Sequence, residues 1–126
     1  MLRRPAKPTI ALVAFTTVLS AAPLSFAAPT TSRGQISVAQ VVEMLEKAST
    51  DRTARQVLTS YLAGVGEAAS AVVSMGSASC RTSLSLNAAT VGQTIRSAAG
   101  GRDAGETPAT PLIVRDMLNR AGCARQ

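Results

Sequence analysis

The chain has 126 residues, enough for one domain and too few for two, and its 13 basic and 7 acidic residues give a formal net charge of +6. It has no histidine, which excludes Ser/His and Cys/His nucleophile pairs, and it lacks the Cys-x-x-Cys spacing that is typical of zinc and redox sites. We therefore expect a protein that is not an enzyme and that holds no metal or other cofactor.

The N-terminus has the pattern of a secretory signal peptide. Three basic residues precede an apolar run over residues 9–22, and Ser25 and Ala27 are small residues at the two positions that a signal peptidase reads. An uncleaved membrane anchor is the alternative, but the run falls short of the roughly 20 apolar residues that a spanning helix needs. We predict that residues 1–27 are removed, that the mature chain is periplasmic, and that it has no stable membrane association after cleavage.

Removal of the signal peptide changes the charge. The remaining chain has ten basic and seven acidic residues, a net charge of +3, and its basic residues are scattered along the sequence. Tyr61 is its only aromatic residue. Nucleic-acid binding normally needs a basic stripe with stacking rings or a recognisable motif, so we expect no nucleic-acid partner.

A short polar segment precedes the first predicted helix. Residues 28–36 are small and polar without periodicity, and we expect a flexible leader there, followed by a helical domain over residues 37–126. Ser37 and Gln40 have the spacing of a capping box. Apolar residues then recur at helical spacing, which predicts a first helix over residues 38–48.

The second predicted helix is the longest. Thr50 or Asp51 caps it, and its apolar stripe keeps the same phase for more than five turns. The stripe consists of Ala54, Val57, Leu58, Tyr61, Leu62, Val65, Ala69, Val72 and Val73. Gly64 and Gly66 cost this helix about 1 kcal/mol each relative to alanine. We interpret Tyr61, Gly64 and Gly66 as a helix-packing seam that another backbone approaches closely.

Two shorter helices complete the predicted fold. A third helix is expected over about residues 88–99, and a last helix has Thr110 as its cap and Pro111 in its first turn, and ends at Gly122. Between them, residues 100–110 form a loop with glycines and charges and no reason to be buried. No stretch alternates long enough to predict a strand. The sequence thus predicts an all-α protein, a small bundle of about four helices.

Cys80 and Cys123 are the only cysteines, and in an exported chain one structural disulfide is the default. It would close a loop of about 44 residues, for which chain entropy suggests about 4 kcal/mol of stabilisation. A redox or metal-binding pair is the alternative, but metal sites usually need about four ligands. The disulfide would join the end of the last helix to the exit of the second.

Several of these features together resemble one family. Tyr61-Leu62-Ala63-Gly64-Val65, then Glu67-Ala68, then Cys80 after a short spacer, and a proline-led last helix that ends in Cys123 are similar to the Rap/Tai immunity proteins of type VI secretion. The resemblance covers about residues 38–123. It implies a small periplasmic helical protein that neutralises a peptidoglycan amidase toxin by plugging its active-site cleft.

The resemblance also implies a partner, and the exposure and length of one loop suggest where that partner binds. The partner would be a cell-wall amidase effector, and a homodimer is possible because members of the family are often dimeric. The loop over residues 100–110 lies where an inhibitory segment can be presented. Its candidate partner-binding residues are Arg102, Asp103 and Glu106, whose polar groups would mimic the peptide substrate of the amidase.

The chain departs from the family at two places. Ala121 and Gly122 precede Cys123, where the family usually has an aromatic residue or Phe-Pro. Many relatives have a second cysteine pair, and the nearest positions here hold Ala48 and Leu58. Two other functions stay open: a periplasmic helical chaperone of the acid-stress kind, and a secreted binding module that targets no enzyme. Such a chaperone would unfold at low pH because its carboxylates become protonated. The chain has only seven acidic side chains that could drive this transition.

Overall fold

The computed structural model describes residues 28, 30–76, 78–101 and 103–125. These residues include four helices and one short antiparallel ladder of two strands. The helices are α1 (Val38–Lys47), α2 (Arg52–Met75), α3 (Ala88–Ala99) and α4 (Ala109–Arg120), and the strands are β1 (Ala78–Ser79) and β2 (Ala124–Arg125). The predicted all-α bundle is confirmed. The predicted signal peptide, residues 1–27, and the candidate residue Arg102 lie outside the described residues.

The first helices begin at the polar side chains that the sequence indicates. Ser37 caps α1 through the predicted capping box: Ser37 Oγ accepts from the Gln40 amide at 3.1 Å, and Gln40 Oε1 accepts from the Ser37 amide at 3.1 Å. Of the two candidate caps for α2, Asp51 is the one used. Its Oδ1 accepts from the amides two and three residues further on, at 2.7 and 3.1 Å.

The start of α4 differs from the prediction. The helix begins at Ala109, one residue before the expected cap Thr110, and Pro108 precedes it without a side-chain cap. The amide of Ala109 instead donates to the Ile36 carbonyl at 2.9 Å. Because the segment before α1 supplies this hydrogen bond, the helix needs no capping side chain at that amide.

The core lies where the apolar stripes of the four helices meet. Its buried members are Val38, Val41, Met44, Ala48, Leu58, Val65, Ala69, Val91, Ile95, Ala109, Ile113 and Met117. Burying each large aliphatic side chain contributes about 1.5–3 kcal/mol.

α2 does not bury its whole predicted stripe. Val72 is 46% exposed and Met75, at the end of the helix, is 83% exposed. The reason is length: α2 has 24 residues, whereas α1 has 10 and α4 has 12. At 1.5 Å per residue, α2 is about twice as long as either helix that packs against it. The prediction that Val72 faces the core is therefore wrong.

The segment expected as a flexible leader packs on the domain. Thr31 is only 5% exposed, and its Oγ1 accepts from the Gln35 amide at 3.1 Å. The Ser32 amide donates to both carboxylate oxygens of Glu106, at 2.9 and 3.1 Å. Residues 30–36 are thus held against the loop that leads into α4.

The predicted disulfide between Cys80 and Cys123 is formed. It joins the chain just after α2 to the chain just after α4, as expected. Beside it, β1 and β2 pair antiparallel, with Ser79 opposite Ala124. Gly122 ends α4 with a φ of +63°, a left-handed conformation that favours glycine. The two-residue strands are too short to leave an alternating pattern in the sequence.

Candidate functional site

The predicted helix-packing seam is only partly present. Tyr61 packs against the core, and its hydroxyl lies 3.0 Å from Thr110 Oγ1 in α4. A Cβ atom placed on Gly64 or Gly66 would have no atom of another element within 4 Å. The close approach predicted at these glycines is therefore wrong for the helices of this chain. Val65 faces the core at 2% exposure, and its neighbours on either side are turned about 100° away from it.

The candidate partner-binding residues of the loop have structural roles. Asp103 Oδ1 accepts from the Glu106 amide at 3.1 Å, and the Asp103 carbonyl accepts from the Thr107 amide at 2.9 Å. The Glu106 carboxylate accepts from Ser32, and this backbone hydrogen bond lowers the pKa of Glu106 below its usual value. The two acids thus shape the loop and hold the segment before α1. The loop is tied down rather than free.

An apolar groove of about 680 Å³ lies between the end of α1, the first half of α2 and the chain that enters α3. We call it the α1/α2 groove; its lining is Leu45, Ala48, Ser49, Arg55, Leu58, Thr59, Leu62, Ala63, Gly66, Leu86 and Ala88. Arg55 is the one charged residue in this lining, and its Nε donates to the Ala48 carbonyl at 3.1 Å. Gly66 widens the groove because it has no side chain there.

A second groove, of about 560 Å³, lies between the C-terminal half of α2 and α4. We call it the α2/α4 groove; its lining is Val72, Val73, Gly76, Ala78, Thr110, Pro111, Val114, Arg115, Leu118, Asn119, Cys123 and Ala124. Among the described residues of this lining, Arg115 is the one with a charged side chain, and none is acidic. The disulfide cysteine Cys123 forms part of the wall. This groove suits an apolar segment with a negative charge at its margin.

Among the described residues, two large apolar side chains near the C-terminal end of α2, Val72 and Met75, are exposed. An 18-residue window of α2 has a mean hydropathy of 1.3, and only 17% of it is buried. By length and composition alone α2 also qualifies as a membrane-spanning helix, a criterion that core helices and signal sequences meet as well. In this structure it packs against α1 and α4.

The described part of the chain has no cluster of three or more His, Cys, Asp or Glu side chains that would hold a metal ion. Every buried side-chain nitrogen or oxygen atom among those residues has a hydrogen-bond partner.

Sequence analysis did not identify either groove. Each groove is built by residues from separate helices, and Val72, Pro111 and Leu118 have no common sequence pattern. The available signal was the apolar stripe of α2, which runs for more turns than the other helices can cover.

Comparison of the chain with protein-family models, with curated proteins and with solved structures finds no match. Function is therefore inferred from the surfaces of the molecule and from the motifs of its sequence.

Proposed function

We propose that the mature chain is a periplasmic immunity protein, which binds a peptidoglycan amidase effector and occludes its active site without catalysing a reaction. The observation that carries the binding part of the proposal is the exposure of two large apolar side chains near the C-terminal end of α2. Val72 and Met75 are exposed on the longest helix, and burial against a partner would remove their apolar area from water. The resemblance to the Rap/Tai proteins supplies the class of partner.

Two further observations support this proposal. Ala48 and Leu58, the positions nearest to the second cysteine pair of many relatives, are both buried and both line the α1/α2 groove. Such proximity would be expected where a disulfide has been replaced by apolar residues. The disulfide between Cys80 and Cys123 supports export, since such bonds persist mainly in oxidising compartments.

We place the contact surface at the α2/α4 groove rather than on the side chains of the preceding loop. Asp103 and Glu106 already hold internal hydrogen bonds. Thr110, which the sequence places in that loop and the structure in the first turn of α4, lines the groove, so a partner seated there would touch the helix directly after the loop. Arg115 supplies a positive charge at the groove, and the mature chain has a net charge of +3. The partner segment would therefore be apolar with an acidic residue at its margin.

Co-expression with the effector encoded beside this chain tests the proposal. The effector is directed to the periplasm, and survival and complex formation are measured with the wild-type chain and with two variants. Val72→Glu places a charge in the α2/α4 groove, whereas Gln56→Glu places the same charge at an exposed position of α2 outside both grooves. We expect protection from the wild type and from Gln56→Glu, and loss of protection from Val72→Glu. No complex and no protection by the wild type would refute the proposal.

The same exposed residues, Val72 and Met75, also favour a second candidate, a periplasmic chaperone that holds unfolded clients. It would change its circular dichroism spectrum between neutral pH and pH 2 to 3 and suppress client aggregation there. An immunity protein would bind one folded enzyme at neutral pH and would not suppress the aggregation of unrelated clients. Measuring the aggregation of an unrelated client protein in the presence of this chain, from neutral pH to pH 2, thus distinguishes the two candidates.

A further inference from the structure

The first described residue contacts a carboxylate of α1. The backbone nitrogen of Ala28 donates to Glu43 Oε2 at 2.7 Å. The Glu43 side chain is 16% exposed, and its Oε1 lies 2.6 Å from Lys47 Nζ. Ala28 is also the residue that follows the predicted signal-peptidase cleavage site, after Ala27. The nitrogen that Glu43 accepts from is therefore the nitrogen that cleavage would release.

Cleavage changes the chemistry of this nitrogen. In the precursor it is a peptide amide, which is neutral and has one hydrogen to donate. Hydrolysis adds water across the bond, so that Ala27 leaves with a new carboxylate and Ala28 keeps a primary amine. That α-amino group is protonated at neutral pH, because its ordinary pKa is about 8. A neutral donor thus becomes a cation with three donors, which adds a Coulomb attraction to the hydrogen bond that the Glu43 carboxylate already accepts.

We propose that Glu43 is the binding site for the mature N-terminus, so that removal of the signal peptide stabilises the folded domain. The inference rests on the export part of the proposed function and not on the amidase partner. The segment after Ala28 is already held by buried Thr31 and by the hydrogen bonds from Ser32 to Glu106. An ammonium paired with Glu43 fastens the other end of this segment to α1.

The neighbouring charge of Lys47 limits the size of the effect. Its ammonium group shares the Glu43 carboxylate and repels a second cation beside it. The pair is also partly exposed, where ion pairs are weak. We therefore expect a modest stabilisation, which must be separated from the loss of the Lys47 contact.

The first test is the N-terminus of the exported protein. Mass spectrometry of the protein recovered from the periplasm should give Ala28 as the first residue. A different first residue, or a retained signal peptide, would overturn the inference.

The second test is a double-mutant cycle on thermal unfolding. One pair of proteins begins at Ala28 and has Glu43 or Glu43→Gln; the other pair has a Gly-Ser-Gly extension before Ala28, so that its nitrogen is an amide. We expect Glu43→Gln to lower the melting temperature of the mature form by about 2–5 °C, and that of the extended form by less than half as much. The Lys47 contact is lost in both pairs and cancels. Equal losses in the two pairs would overturn the inference.

A third comparison needs no substitution at Glu43. The wild-type mature chain should melt at a higher temperature than the wild-type extended chain, and an equal or lower temperature would contradict the proposal. Failure here is distinct from failure of the proposed function, because complex formation with the effector is measured separately at the α2/α4 groove. A chain that binds the effector, but in which Glu43→Gln lowers the melting temperature equally with and without the extension, would refute only the role of Glu43.

Discussion

Tyr61 and Thr110 are joined by a hydrogen bond of 3.0 Å between their hydroxyl groups, across 49 residues of sequence. The bond ties the middle of α2 to the first turn of α4, at the edge of the α2/α4 groove. Burial raises the pKa of the Tyr61 phenol above its ordinary value, and the hydrogen bond with Thr110 offsets part of this rise. Tyr61 is the only aromatic residue after position 27, so its absorbance and fluorescence report on this contact.

Replacement of Tyr61 by phenylalanine removes the hydrogen bond and keeps the ring. We expect a loss of about 0.5–1.5 kcal/mol in the free energy of unfolding, the usual contribution of one such bond. Urea denaturation followed by far-ultraviolet circular dichroism measures it. Thr110→Ser, which keeps a hydroxyl, is the control and should cost less than Thr110→Val. Equal stability of wild type and Tyr61→Phe would show that the bond contributes nothing.

The raised pKa of Tyr61 predicts a loss of stability at alkaline pH. Because the folded-state pKa lies above the unfolded value of about 10, the stabilisation is fully present below that pH. It is lost as the pH rises through the folded-state pKa. The stability difference between wild type and Tyr61→Phe should therefore shrink between about pH 9 and pH 12. A constant difference over this interval would contradict the assignment.

The lowered pKa of Glu106 predicts a loss of stability at acidic pH. Its pKa is lowered chiefly by the backbone hydrogen bond from Ser32, so its contribution is present above the unfolded value of about 4.3. The contribution is lost as the pH falls through the folded-state pKa. Glu106→Gln should lower the melting temperature at pH 7 and converge with wild type near pH 2. Glu67→Gln, at an exposed position of α2, is the matched control for the loss of one negative charge.

Loss of the disulfide should destabilise the domain strongly. The cysteines are 43 residues apart, and closing a loop of this length stabilises the folded state by about 4 kcal/mol in the chain-entropy model. Domains of this size have total stabilities of only about 5–15 kcal/mol. Cys80→Ser with Cys123→Ser, and the wild type under reducing conditions, should therefore both show a large fall in melting temperature. If reduction left the melting temperature unchanged, the bond would not be structural.

Two glycines of the chain should respond in opposite directions to alanine. Gly122 has a φ of +63°, and an added Cβ would lie 3.1 Å from Arg81 Cδ, so Gly122→Ala should cost about 1–2 kcal/mol. Gly64 lies within α2, and no atom lies within 4 Å of an added Cβ. Gly64→Ala should therefore stabilise the chain by up to about 1 kcal/mol. If Gly64→Ala destabilised the chain, that result would support the close packing that the sequence predicts at Gly64.

Most of the features that were predicted correctly depend on neighbouring residues, whereas the disulfide over 43 residues could be predicted because the chain has only two cysteines. The capping box of Ser37 and Gln40 spans three positions, and Gly122 ends α4 through its own backbone conformation. The features that were missed depend on distant ones. Exposure of Val72 follows from the lengths of other helices, and the contact of Ser32 with Glu106 spans 74 residues. Sequence periodicity does not contain that information.

The most direct measurement is the hydrolysis of purified peptidoglycan by the amidase effector proposed as the partner, titrated with the mature, disulfide-bonded protein. We predict that activity falls to the background at a one-to-one ratio. Val72→Glu should need at least about tenfold more protein for the same inhibition, a loss of about 1.4 kcal/mol, whereas Gln56→Glu should match the wild type. Undiminished hydrolysis in the presence of excess protein, or inhibition that Val72→Glu leaves unchanged, would contradict occlusion through the α2/α4 groove.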